Sequence, residues 1–440
     1  MPRKSRFLLL ILIAILCISI SILRIEDTIG ISNIEIVDMQ IVADHPFGYQ
    51  DVLRDYYPTD EWRSCTPEEQ GMNSSLLGEM VPYIEENEWA IDSIIIIRGG
   101  YIVFEEYLNP EYPMNYYRRL QSVTKSFTSA LVGLAIKEGF LAGVEETIVD
   151  LFSDRTISNY DERKNRMTVE HLLTMTSGIE WDEWSYPYTD VVNNNMAALS
   201  ASNDGVDYFL NLPMVAEPGE VWNYNGGNAV VLGALIEKLS NMTLLDFAET
   251  YLFDPIGISG GGWEKMPCGY YEAGGALWLK PRDMARFGYL YLNGGMWNES
   301  EVIPLDWILN STDYYTISPR YGYMWWLETG MDAYVASGLF GQKIMVCPED
   351  DLVVTFTASI TGIFYDPHYE LYYDYIRASI IGPPRSVTTT TTNTSTYSTI
   401  EPPPTFEHGL FAIYGVYLVM GIFGVVVLAV IYQIRYRKVA

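Results

Sequence analysis

The chain has 440 residues, of which 56 are acidic and 27 basic, giving a formal net charge of −29. So acidic a chain excludes a nucleic-acid partner and disfavours docking on anionic lipid headgroups. Its four histidines, His45, His171, His368 and His408, show no ligand spacing, so neither a metal nor another cofactor is expected.

In chain order, Arg3, Lys4 and Arg6 precede an uncharged apolar run from Phe7 to Leu23, which reads as a signal peptide or signal anchor over residues 1–26. An N-terminal extension follows over 27–59, and then the body, 60–382, long enough for one large domain. Beyond it, 383–404 is rich in Thr, Ser and Pro and reads as an extended stalk. Residues 405–434 contain an uncharged stretch, Gly409 to Ile434, long enough to span a bilayer. The basic tail 435–440, with Arg435, Arg437 and Lys438, places that end in the cytoplasm and the body outside the cell. Sequons at Asn73, Asn241, Asn298, Asn310 and Asn393 suit an exported glycoprotein. Cys65, Cys268 and Cys347, the cysteines outside the first apolar run, allow one disulfide at most.

Within the body, Ser93–Ile97, the Gly99-Gly100 turn and Tyr101–Tyr107 predict a β-hairpin. Further strands are predicted at Tyr321–Leu327, Ala333–Ser337, Gln342–Cys347 and Leu352–Ala358, the last two joined by Pro348-Glu349-Asp350-Asp351. Helical patterns lie between the two groups, at Thr168–Met175, Ala229–Leu239 and Pro281–Asn293, and a last one runs from Tyr369 to Ile381. The fold class is therefore α+β: an antiparallel sheet drawn from both ends of the body, flanked by helices, with a large helical insertion, plus the two membrane segments.

The chemistry is concentrated at Ser122-Val123-Thr124-Lys125. Three residues apart on a helix, the hydroxyl and the amine share a face, with Cβ atoms about 5–6 Å apart. From Ser126 to Ile136 there is no other charge, so the helix is buried and Lys125 needs a use. Burial and the positive end of the helix dipole both lower a lysine's proton affinity, which predicts a basic amine able to activate Ser122. Ser122 as a helix cap with Lys125 snorkelling to solvent is the competing reading. About 100 residues on, a Pro218-Gly219 turn leads to Tyr224 in a small-residue loop, a candidate to take and return the serine proton.

Glu68-Glu69-Gln70-Gly71-Met72, Ser122-x-x-Lys125, His171 to Gly178 and Pro218 to Asn228 together resemble the serine β-lactamase and penicillin-binding-protein-like hydrolases. The look is closest to the class C-like branch with its esterases and 6-aminohexanoate-oligomer hydrolases. The resemblance implies a β-lactamase/transpeptidase-like fold, a nucleophilic Ser122, a Lys125 that helps deprotonate it and Tyr224 as general acid and base. It also implies an oxyanion hole from the backbone N–H groups of Ser122 and Leu339.

Two departures from the family pattern stand out. The tyrosine motif reads Tyr224-Asn225-Gly226, so the side-chain amide that contacts substrate is displaced to Asn225 or missing. The third motif reads Ala336-Ser337-Gly338, leaving Ser337 and Gly338 at the substrate without the usual cation. A charge-assisted contact to a substrate carboxylate, worth about 1.5–3 kcal/mol, is thereby lost. Ester or amide hydrolysis of a small substrate is expected over β-lactamase or DD-peptidase activity, with a non-catalytic cell-surface binding protein as the alternative class.

Trp181, Trp184 and Tyr186, with Asp182, Glu183 and Tyr188, wall the cleft or only pack their own loop down. His171 is read as structural. Gly257-Ile258-Ser259-Gly260-Gly261 followed by Asp350 and His368 mimics another hydrolase triad, but lacks the strand before and helix after that a nucleophile elbow requires.

Overall fold

Four consecutive isoleucines, Ile94 to Ile97, favour extended backbone and cannot leave either face in water. A computed structural model describes residues 45–47, 54–315, 320–361 and 366–385 and forms strand β1 there, Ile91–Arg98, buried along its length. Successive side chains alternate faces. Ile95 and Ile97 enter the main core, while Ile94 and Ile96 join a second core with Leu77, Met80 and Ile84 of helix α1, Ser74–Glu86. The sheet is thus covered on both sides.

Strand β2, Tyr101–Tyr107, completes the hairpin. The other four strands, β3 Trp326–Glu328, β4 Ala333–Gly338, β5 Gln342–Cys347 and β6 Leu352–Ala358, return more than 200 residues later. Their order is β2-β1-β6-β5-β4-β3, each neighbour antiparallel. The insertion supplies helices α2, Thr124–Lys137, α3, Gly226–Ser240, and α4, Pro281–Leu292. Gly288 of α4 lies so close to the sheet that a Cβ there would stand 2.7 Å from Val353. The α+β architecture is the expected one.

Two elements differ from expectation. Of Tyr321–Leu327 only the end is strand, because Met324 turns to a positive φ of 62° and its N–H goes to Leu173 and Gly322 carbonyls. The last helix breaks into α5, Pro367–Leu371, a wide turn at Tyr372–Ile376 and a tight one at Arg377–Ser379.

Before the body, Phe47 is buried against Tyr334, and Arg54 forms a two-pronged ion pair with Asp351. The chain divides into units Met1–Val387 and Thr388–Ala440, and only the first contains described residues. Among the described residues no helix is long and apolar enough to cross a membrane. The apolar run 1–26, nearly all of the stalk and the 405–434 span lie outside the described residues. Cys65, Cys268 and Cys347 are free thiols.

One ion pair ties the sheet to the segment that leads into Ser122. Arg118 donates to Asp92 of β1 at 2.6 Å and to the Ala358 carbonyl of β6 at 3.0 Å, with Asp92 almost wholly buried. Asp92 also accepts from Ser359 and Asn109, both at 2.7 Å. Removing one partner of a buried pair strands the other charge, so Asp92→Ala should cost about 3–5 kcal/mol. Chemical denaturation of the variant beside wild type checks this, and a loss under about 1 kcal/mol contradicts it.

Candidate active site

Arg118-Arg119 pairs as a short strand with Leu277–Leu279, and Leu120 continues that contact by donating to the Leu277 carbonyl. The chain then turns abruptly: Gln121 adopts a φ of 51°, which costs a non-glycine residue about 1–3 kcal/mol. Gln121–Val123 form a single tight turn that runs into α2, so Ser122 stands just ahead of the helix and Lys125 in its first turn. Gly338, the last residue of β4, passes so close that a Cβ would lie 2.4 Å from the Leu120 carbonyl oxygen and 3.2 Å from Ser122 N. Only glycine fits there.

Helix α2 is buried from Thr124 to Ala135, so its polar side chains must find protein partners. Apart from Ser126 and Ser129, they find the loop between α3 and α4. Thr128 donates to the Ala273 carbonyl at 2.6 Å, Lys125 Nζ to that of Gly274 at 2.8 Å, and the Leu277 N–H donates to Thr124 Oγ1 at 3.3 Å. Ser126 donates instead to the Met324 carbonyl. The amine of Lys125 also lies 3.3 Å from Ser122 Oγ and 4.7 Å from the centre of the Tyr224 ring.

Burial is the largest single influence on Lys125 and lowers its proton affinity, as the sequence predicts. Charge and hydrogen bonding at Tyr224, together with the Glu183 carboxylate, outweigh it, and the net shift is upward. The net direction is opposite to the one that burial alone gives.

Glu183 is itself buried. Its Oε2 accepts the Gly226 N–H at the start of α3 and the Trp181 indole N–H, both at 2.7 Å, and its Oε1 accepts from Tyr188 at 3.1 Å. An anion at a helix N-terminus is favourably placed.

Tyr224 lies flat between Trp184 and Trp326, with ring centres 5.0 and 6.1 Å away. Two cavities meet at Ser122 and Leu339. One, of about 390 Å³, runs past Lys125, Glu183 and Glu272; the other, of about 880 Å³, is lined by Trp184, Tyr186, Tyr224, Ser337 and Gly338 among others. Burial pushes the Glu272 carboxyl up, against the opposing pull of its ion pair with Arg119. Ser122 and Leu339 each sit in the first turn of a short helical segment, where N–H groups have no acceptor within the turn.

Trp181 and Asn225 do not line these cavities and are corrected. Trp181 is core, packed on Phe209, and acts on the site only by holding Glu183. Asn225 is the buried N-cap of α3, its oxygen taken by the Asn228 N–H. His171 caps its own helix through Thr168. Ser259 lies exposed in a loop with no helix after it, while Asp350 faces Arg377 and His368 pairs with Asp366.

The wall at Ser337 holds a residue the motif reading missed. Lys343 of β5 is directly opposite and places its ammonium 2.9 Å from Ser337 Oγ. The signal was available: a lysine buried in a strand whose remaining residues, Gln342 aside, are apolar is as anomalous as Lys125 in its helix.

The β-lactamase family model matches residues 92–369, a stretch that holds all of these groups. The chain belongs to that family. It is 22% identical over 313 residues to the 6-aminohexanoate-dimer hydrolase of Paenarthrobacter ureafaciens, covering 66% of this chain and 78% of that one. A solved Bacillus anthracis structure assigned as a 6-aminohexanoate-dimer hydrolase aligns with TM-score 0.61 at 20% identity, covering 75% and 91%. EstCE1, a hydrolase with promiscuous acyltransferase activity, aligns with TM-score 0.56 at 15% identity, covering 70% and 99%. At these identities the solved structures carry the fold alone.

Glu183→Gln removes one of the charges that raise Lys125. The ammonium is then lost at lower pH, so the alkaline limb of Ser122 modification by an organophosphonate should move to lower pH. A limb that stays in place removes Glu183 from this role.

Proposed function

We propose that this chain is a serine hydrolase that cleaves ester or amide bonds through an acyl-enzyme on Ser122. The observation that carries the reading is the buried Lys125 ammonium, 3.3 Å from Ser122 Oγ and against the ring of Tyr224, at the meeting point of two cavities.

A lysine that already holds its proton cannot take another. Because Nζ donates to Ser122 Oγ, the serine's own proton is left for a different acceptor, and Tyr224 is the titratable group beside the same amine. In this step Tyr224 acts as the phenolate, its charge offset by Lys125; it accepts that proton as Oγ attacks the substrate carbonyl and becomes neutral while the negative charge passes to the carbonyl oxygen. The N–H groups of Ser122 and Leu339 stabilise the developing oxyanion. Tyr224 then returns the proton to the leaving alcohol or amine, and water repeats the cycle on the acyl group.

The aromatic lining of the larger cavity suits an apolar acyl or amide chain. On this reading a membrane anchor holds the body outside the cell; the sequence of both ends is its support.

A fluorophosphonate probe should label the full chain on Ser122. Ser122→Ala should abolish the adduct and Ser259→Ala should leave it, whereas a label that survives Ser122→Ala overturns the reading. p-Nitrophenyl esters should be turned over and nitrocefin scarcely, and the reverse contradicts the substrate class. Lys125→Met and Tyr224→Phe should each lower ester turnover by about 10²–10⁴-fold.

A further inference from the structure

Lys343 belongs to a chain of polar groups along the wall of the larger cavity that faces Ser122. Its ammonium donates to Ser337 Oγ at 2.9 Å and pairs with Asp366 Oδ2 at 2.8 Å, with the side chain 4% exposed. The other oxygen of Asp366 meets Nδ1 of the buried His368 at 2.5 Å. Burial pushes the Asp366 carboxyl up, but His368 and Lys343 outweigh it and hold it well below the usual carboxylate range. Asp366 is therefore an anion wherever a hydrolase is assayed.

Lys343 is buried but the Asp366 side chain is 40% exposed, so the pair is only half removed from water and contributes little to the stability of the sheet. The pair at Lys343 and Asp366 therefore invites a role in the cavity it lines. Ser337 has two acceptor lone pairs and one proton to donate. With the ammonium on one lone pair, the hydroxyl proton remains for a group in the cavity, and the neighbouring cation polarises the O–H bond. A neutral carbonyl or amide oxygen is a fitting acceptor. A carboxylate placed there meets the Lys343 cation and the Asp366 anion together. Their fields oppose one another, so the Ser337 hydroxyl is left as the main offset to a carboxylate's loss of water.

We propose that Asp366 masks Lys343, so that the Ser337 wall selects neutral substrates and disfavours those carrying a carboxylate. This rests on the Ser122 reading for its kinetic expression, though not for the charge arrangement itself.

The test uses the full chain and two matched ester pairs. The charge sits on the acyl side in the p-nitrophenyl half-ester of glutarate, compared with p-nitrophenyl pentanoate. It sits on the leaving group in the butyrate ester of 4-hydroxybenzoate, compared with that of 4-hydroxybenzamide. Wild type should prefer the neutral member of at least one pair. For that pair Asp366→Asn unmasks the cation and should shift the kcat/KM ratio toward the anion by about tenfold. Lys343→Gln keeps a donor for Ser337 but leaves Asp366 unopposed, and should shift the ratio about tenfold the other way.

Both ratios staying within about twofold of wild type in a folded variant overturns the proposal, as does a shift of the same sign in both variants. If wild type hydrolyses none of the four esters, it is the catalytic reading that fails. Charge selection is then read from equilibrium binding of benzoate and benzamide to Ser122→Ala with and without Asp366→Asn. Tighter benzoate binding only with Asp366→Asn supports the mask, and unchanged binding overturns it.

Discussion

A lysine side chain almost wholly withdrawn from water is the constraint around which this site is organised. Lys125 is 4% exposed, so the fold must supply most of its partners, and each has structural consequences. The Gly274 carbonyl is offered by the loop between α3 and α4, which α2 clasps with Thr124 and Thr128. The Tyr224 ring is held by Trp184 and Trp326. The Glu183 carboxylate acts on Lys125 through its charge and not by contact, and is fixed by Trp181, Tyr188 and the first N–H of α3. The remaining contact is Ser122 Oγ, so on the proposed reading compensating the charge and orienting the nucleophile are one arrangement.

That arrangement changes what the lysine is for. Desolvation taken alone makes a lysine a base, and a sequence shows desolvation readily: an uncharged run around Lys125 suffices. The groups that reverse the shift come from elsewhere in the chain, Glu183 and Tyr224, and their convergence on one amine is a property of the fold. The anchoring of Arg118 on Asp92 belongs to the same economy, because it holds the lead-in to Ser122 against the sheet that carries Gly338.

Much of the fold was legible because it follows local rules. The isoleucine run, the Gly99-Gly100 turn and the Pro348–Asp351 turn place both hairpins to within a few residues. Ser122, Lys125 and Tyr224 stood out through spacing and setting, and the structure brings them together. What was illegible depends on long-range contact. Trp181 and Trp184 are three residues apart in one aromatic cluster, yet one is core and the other stacks on Tyr224, and composition cannot separate them. Asn225 was read for its amide, but helix capping uses its oxygen. The third motif was read along β4 alone; its cation comes from the partner strand, through the pairing of Ser337 with Lys343.

The central claim is a covalent one, that Ser122 carries the acyl group. Mixing the full chain with p-nitrophenyl pentanoate, quenching in acid within the first turnovers and mapping peptides by mass should find one pentanoyl group, on the peptide holding Ser122. Absence of that adduct while p-nitrophenol is still released with a burst, or its appearance on the Ser259 peptide, would contradict the account.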